Sequence, residues 1–311
     1  MKAHDTVTDR LLKFTFHNAP VRGEVVRLAD AWQAMTEHHG YPAPVMRLLG
    51  EMTAAAALLA SNIKFSGSLI LQIHGDGPVR LLVVECQPDL RLRATAKLDA
   101  DASIDPHAGM RELVNVSGQG RCAITLDPTD RLPGQQPYQG IVSLRGESIA
   151  QALENYMRQS EQLESRLWLA ADDRFCAGVL LQKLPDAGGR TTPGNADVDA
   201  WERTTALAAT LTAEELLELP ADTVTRRLFW QERLDHYPRL VPRFECRCSR
   251  GRIGRMLLSL GRKEVDSIVV EQGRVEVTCD FCNARQAFDA VDVAQLFRTG
   301  SADDVAVTAH H

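Results

Sequence analysis

The 311 residues are 44% hydrophobic and 24% charged, with 21 Gly and 14 Pro, which excludes whole-chain disorder, collagen and coiled coil and leaves length for a large core and a second domain. A net charge of −6, from 41 acidic and 35 basic side chains, does not suit a protein that coats nucleic acid or an anionic membrane. Seven cysteines are too few for a secreted disulfide scaffold, and an odd number cannot pair completely within one chain.

The N-terminal segment MKAHDTVTDRLLKFTF places Asp5, Asp9 and Arg10 where a secretory leader needs apolar residues, and the longest apolar run, Ala54 to Ala60, is well short of the roughly 20 residues that cross a bilayer. The expectation is a reducing cytoplasm without membrane association. Leu11 to Phe16 reads as a strand. Val45 to Ile63 is Ala- and Leu-rich with apolar residues nearly all round, so it predicts a helix buried against a sheet. Phe65 to His74 and Val79 to Glu85 form a predicted hairpin turning at Gly75-Asp76-Gly77. In Leu90 to Lys97, Leu90, Leu92, Ala94 and Ala96 alternate with Arg91, Arg93, Thr95 and Lys97, the pattern of a strand with one wet face. Gly120 to Asp127 and Tyr138 to Leu144 are further strands. Ser148 to Ser160 is a helix with Ile149, Leu153, Tyr156 and Met157 on one face. The fold class is therefore α+β, an antiparallel sheet core with packed helices, over residues 1–184.

Pro185 to Gly194 is a Gly- and Pro-rich boundary. Residues 185–240 read as a linker of short helices, with a capping box at Thr212 and Glu215. Helices this short are marginal in water and need a surface to dock on. Residues 241–311 form a small C-terminal domain.

That domain holds Cys246-Arg-Cys248 and Cys279-Asp-Phe-Cys282. Two close cysteine pairs offer four soft donors to a tetrahedral Zn2+, and the bound ion stabilises a unit too small for its own core. Cys86, Cys122 and Cys176 fall singly in strand-like segments and read as buried small hydrophobes. Three uses of the tetrad stay open. One is a structural zinc knuckle. Another is a nucleic-acid-binding zinc ribbon, favoured by seven Arg against Glu245 alone over residues 239–262. It is disfavoured by twelve basic against twelve acidic residues over 232–311. The third is a redox switch, because thiolates beside Arg243, Arg247 and Arg250 would be kept deprotonated and open to oxidants. Of the three possible pairings, proximity favours Cys246 with Cys248 and Cys279 with Cys282.

Enzyme signatures are weak. Ser61-x-x-Lys64 lies at a helix end without companion motifs, and Gly75-x-Gly77 and Gly118-x-Gly120 lack the third glycine of a dinucleotide site. His38 and His39 sit in a polar stretch and read as solvated. Asn115-Val-Ser117 is an idle sequon.

Ala19-Pro-Val-Arg-Gly-Glu24, Tyr138-Gln-Gly-Ile-Val142, Tyr156-Met-Arg-Gln-Ser-Glu-Gln162 and the cysteine tetrad together resemble the redox-regulated heat shock protein 33 family over nearly the whole chain. Glu164-Ser165 and Gln286 depart from the family's usual residues, and the tail beyond Phe297 has no clear counterpart. The resemblance implies a non-enzymatic, ATP-independent chaperone that is inactive when reduced and zinc-bound. Oxidation with heat then forms two disulfides, releases zinc and unfolds the linker and C-terminal domain, so that unfolding client proteins are captured. It also implies a homodimer. Leu216, Leu217, Leu228, Phe229 and Trp230 are the candidate client-binding residues in the linker.

Overall fold

A computed structural model describes residues 9–63, 66–130, 136–144, 146–185, 197 and 199–300. Asp5, Lys64, Phe65, residues 186–194 of the expected boundary, Val198 and the tail with Asp303, Asp304, His310 and His311 lie outside the described residues. Packing divides the chain into two compact units, residues 1–245 and 246–311.

The elements of the first unit, in chain order, are β1 (Arg10–Phe16), β2 (Val21–Leu28), α1 (Asp30–Thr36), α2 (Ala43–Ala60), β3 (Gly67–His74), β4 (Val79–Cys86), β5 (Arg91–Leu98), α3 (Met110–Val114), β6 (Arg121–Pro128), β7 (Tyr138–Ser143), α4 (Ile149–Gln159), β8 (Ser165–Ala171), β9 (Cys176–Lys183), α5 (Ala200–Ala208), α6 (Ala213–Glu218), α7 (Ala221–Leu228), β10 (Leu234–His236) and β11 (Arg243–Phe244). The second unit holds α8 (Arg250–Leu260), α9 (Arg262–Gln272), β12 (Val275–Thr278), β13 (Arg285–Phe288) and α10 (Ala290–Thr299). The α+β class expected from the strand and helix patterns is the observed one.

Two sheets make the first unit, in the orders β10-β1-β2-β9-β8 and β11-β5-β4-β3-β6-β7, antiparallel throughout except where β11 runs parallel to β5. Helix α2 lies between them, touching β2, β8 and β9 of one and β3, β4 and β5 of the other. Pro42 and Pro44 at its start cost no intrahelical hydrogen bond there. Small side chains then let both sheets approach: Ala54, Ala55, Ala56 and Ala57 are fully buried, and a Cβ on Gly50 would come 2.4 Å from Ala171 Cβ. By length and composition α2 could cross a membrane, but 78% of it is buried inside the fold, as in a core helix.

The five-stranded sheet is apolar on both faces. Leu11, Val26, Leu28 and Leu180 join the core around α2, while Leu12, Phe14, Phe16, Val21, Val25, Val179 and Leu181 point to the opposite face. That second face is covered by α5, α6 and α7, which bury Ala200, Ala208, Leu216, Val224, Leu228 and Phe229 against it. Helices of six to nine residues are not stable alone in water. Burial of each large side chain, worth roughly 1.5–3 kcal/mol, is what holds them. Polar ties add to it: Arg10 pairs with Asp222 at 2.6 Å, and Arg27 Nε donates to the Leu217 carbonyl at 2.7 Å. The predicted capping box is present, with Thr212 Oγ1 accepting from the Glu215 N–H at 3.2 Å.

Alternation in β5 holds with one shift. Leu92, Ala94 and Ala96 are buried, but Leu90 sits in the preceding turn at φ 60°, and Thr95 is buried beneath the Tyr41 hydroxyl. Ser165, at one of the departures from the family pattern, is buried and accepts from Gln182 Nε2 at 2.8 Å.

Candidate metal centre

Cys246 and Cys248 precede α8, whose N-terminus is capped by Ser249 accepting from the Arg252 N–H at 3.2 Å. Cys279 and Cys282 lie in the turn joining β12 to β13, where Val275 pairs with Phe288 and Val277 with Gln286. The Cys279 N–H donates to Ala284 O and the Asn283 N–H to Cys279 O, both at 2.9 Å. Asn283 takes the left-handed φ of 57° that this tight return needs and that asparagine tolerates.

These turns bring the four sulfurs within 4.8 Å of one another. Cys246 Sγ and Cys279 Sγ are 3.6 Å apart, and Cys248 Sγ and Cys282 Sγ are 3.3 Å apart. Metal–sulfur bonds of about 2.3 Å in a tetrahedron give sulfur–sulfur edges of roughly 3.8 Å, so the cluster matches a four-coordinate ion in size and donor type. Burial pushes the Cys246 thiol up, and burial together with the Cys282 and Cys246 thiols pushes Cys248 up further. Burial also acts to raise Cys279, but the Phe281 and Cys282 N–H groups outweigh it and the thiol is lowered. Thiolates held this close repel one another, and a bound cation removes that repulsion.

A small core supports the site. Phe288 is fully buried with Leu257, Val265, Val293 and Leu296 around it, and the Arg250 guanidinium stacks 4.1 Å from the Phe288 ring centroid. Arg250 also donates to Ala287 O at 2.5 Å and pairs with Asp292 at 2.6 Å. Asp292 in turn closes a capping box with Asp289 at the start of α10.

Two of the three arginines expected beside the thiolates have carboxylate partners. Arg243 is held by Asp89 at 3.0 Å and Arg250 by Asp292, because a carboxylate offers a guanidinium a planar, charge-assisted partner. Both guanidinium groups are committed to carboxylates. His38 pairs with Glu37 at 3.2 Å, and His39 stacks on Tyr41 at 4.9 Å, so neither is merely solvated. Cys86, Cys122 and Cys176 are buried as expected, and burial raises all three thiols, Cys122 to about 12.

The candidate client-binding residues divide. Leu216, Leu228 and Phe229 are buried against the five-stranded sheet and Leu217 packs beside them, whereas Trp230 is 73% exposed. Phe229 meets Phe16 edge-on at 5.0 Å and Phe14 at 5.7 Å. Composition shows that such helices need a surface. The surface itself is recognisable only from Leu12, Phe14 and Phe16, whose spacing marks a second apolar face.

The family model described as "Hsp33 protein" matches residues 9–289. The 33 kDa chaperonin of Methylobacillus flagellatus is 46% identical over 294 residues, covering 94% of this chain and 96% of its own. That of Chromobacterium violaceum is 46% identical over 289 residues, covering 93% and 94%. The crystal structure of the 33 kDa chaperonin (heat shock protein 33 homolog) from Thermotoga maritima superposes with a TM-score of 0.74 at 20% identity, over 94% of this chain and 98% of the other. The four-sulfur cluster, the two sheets and the buried helix thus belong to a chain of the Hsp33 family.

Proposed function

We propose that this protein is a redox-regulated, ATP-independent holdase that captures unfolding proteins when its cysteine cluster is oxidised. The observation that carries the reading is the convergence of Cys246, Cys248, Cys279 and Cys282 within 4.8 Å, in a chain whose relatives are named 33 kDa chaperonin. The four cysteines are both the metal ligands and the redox switch. They hold one Zn2+ in the reduced state, where the ion supplies a four-way cross-link that keeps the small unit folded.

A hydroperoxide is the oxidant. One thiolate attacks a peroxide oxygen and becomes a sulfenic acid as the O–O bond breaks and the other oxygen leaves as hydroxide or alkoxide, which takes a proton from solvent. A second thiolate displaces hydroxide from the sulfenic sulfur to close a disulfide. Each disulfide takes two electrons from the pair and reduces one peroxide, so two disulfides consume two. The cross-link is lost with the thiolates, and residues 246–311 lose the binding energy that folds them, on the order of 10 kcal/mol.

Activation then runs through the linker. Release of α5, α6 and α7 uncovers Leu216, Leu217, Leu228, Phe229 and the Phe14 and Phe16 face beneath them. The active form is a cytoplasmic homodimer, and its partners are unfolding proteins rather than nucleic acid.

The test follows zinc release and free thiols during peroxide treatment at raised temperature, with suppression of client aggregation assayed before and after. Release of one zinc, loss of four thiols and gain of suppression are expected. Zinc retained without gain of activity overturns the switch and leaves a structural knuckle. Tight, salt-sensitive RNA binding by the reduced protein would install the zinc-ribbon reading instead.

A further inference from the structure

Three sequence segments that the redox chemistry does not use, Ala19–Glu24, Tyr138–Val142 and Tyr156–Gln162, are far apart in the chain and meet at one cavity. Helix α2 ends at Ala60, and beyond it the space between the two sheets is empty over about 280 Å³. The walls are mostly apolar: Leu59 and Ile63 past the helix end, Leu69, Ile124 and Leu126 from the six-stranded sheet, and Met157 and Leu163 at the α4 side. The volume sits at the lower edge of the roughly 300–1,000 Å³ typical of small-molecule sites.

The polar groups are few and unequal. Arg22 reaches the cavity from β2, and its Nε and Nη2 both donate to one oxygen, Gln182 Oε1, at 2.9 and 2.5 Å. Gln182 is itself 1% exposed and anchored to Ser165 Oγ at 2.8 Å. Among the described residues Arg22 forms no ion pair, so this half-buried guanidinium has a neutral amide as its partner and further N–H donors unused. Burial disfavours its charge. Glu161, the acid of the same cavity, is engaged elsewhere: it accepts from the Tyr156 hydroxyl at 2.9 Å and the Tyr138 hydroxyl at 3.4 Å. Nearby Glu24 accepts from Ser61 Oγ at 2.6 Å and lies 3.4 Å from Lys13, its Oε1 makes no hydrogen bond among the described residues, and its charge reaches Arg22 only from beyond ion-pair distance.

We propose that this cavity is a binding site for a monocarboxylate with a medium-length apolar body, its carboxylate on Arg22 and its chain along Leu59, Leu69, Ile124 and Leu126. A carboxylate matches the planar fork of a guanidinium in two parallel hydrogen bonds and supplies a counter-charge in direct contact, which Glu24 at longer range does not. The apolar walls take the chain. The site does not depend on the redox reading, because none of its residues belongs to the cysteine cluster.

Calorimetric titration of the full chain in its reduced state with octanoate and, separately, octan-1-ol tests the proposal. Octanoate is expected to bind at least tenfold more tightly than the alcohol. R22Q should abolish that preference while leaving the alcohol's affinity within twofold, and Leu126→Trp, which fills the cavity, should weaken both. Equal affinities for the two probes in the unaltered protein overturn the assignment and leave an apolar pocket only. So does an absence of binding heat at millimolar octanoate, and neither of these outcomes requires a variant to fold.

Discussion

Glu245 Oε1 accepts a 2.7 Å hydrogen bond from Arg91 Nη1, fixing to the six-stranded sheet the residue that immediately precedes Cys246. Arg243 N donates to Leu90 O and Glu245 N to Leu92 O, both at 3.0 Å, and Asp89 binds Arg91 at 2.8 Å and Arg243 at 3.0 Å. Half-exposed ion pairs of this kind are worth roughly 0.2–1 kcal/mol each. R91Q is therefore expected to speed amide exchange at Arg243 and Glu245 about two- to fivefold, with β3 and β6 unaffected. Unchanged exchange would show that the backbone ladder alone holds β11.

Removing metal should unfold the second unit while the core around α2 stays folded. Chelation of the reduced protein, or C282S, is expected to remove exchange protection from α8, α9 and α10 while α2 and β3 keep theirs, because the core around Phe288 is small. Hydrogen exchange read by mass spectrometry separates the units. Protection retained in α8 and α9 after complete zinc loss would make the Phe288 core self-sufficient.

Phe229 is the aromatic that locks α7 onto the second face, in contact with Phe14 and Phe16. Truncation to alanine in a core of this kind costs about 3–5 kcal/mol, more than three short helices can hold in reserve. F229A is expected to raise binding of an apolar dye such as ANS by reduced protein several-fold, with little change in far-UV circular dichroism. Trp230→Ala, altering a side chain exposed to solvent, should leave dye binding unchanged. Equal responses from the two variants would refute docking through Phe229.

Glu51 on α2 gives a pH dependence. Burial raises its carboxyl from 4.5 to about 7 against the opposing charge of Arg47. The folded state therefore holds a proton that the unfolded state has already released between about pH 4.5 and 7. Stability falls as pH rises through that window, by up to about 3 kcal/mol. E51Q should flatten this slope and be the more stable protein at pH 8, as read by denaturant unfolding at pH 5.5 and 8. A parallel pH profile in the variant would assign the slope to other groups.

Local patterns carried much of the fold. The 2.0 period of Leu92, Ala94 and Ala96, the unbroken apolarity of the Ala54–Ala57 helix and the Thr212–Glu215 box are each written in a few adjacent residues. The cysteine cluster was legible because four soft donors in two close pairs have few other uses. Strands β10 and β11 were not, since Leu234–His236 and Arg243–Phe244 acquire strand geometry only by pairing with β1 and β5, more than 140 residues away. The Arg22 cavity was invisible for the same reason: its wall residues come from seven separated elements and the loops beside them, and no period joins them.

The two-faced β1–β2–β9–β8 sheet also sets an order of events during synthesis. All four strands are complete once residue 183 has left the ribosome, whereas the helices that cover their second face end at residue 228 and β10 at residue 236. At roughly 5–20 residues per second, the nascent chain presents Phe14, Phe16, Val25 and Leu181 to the surrounding solution for several seconds before their cover is made. Every newly made molecule thus passes through an interval in which the apolar face is bare.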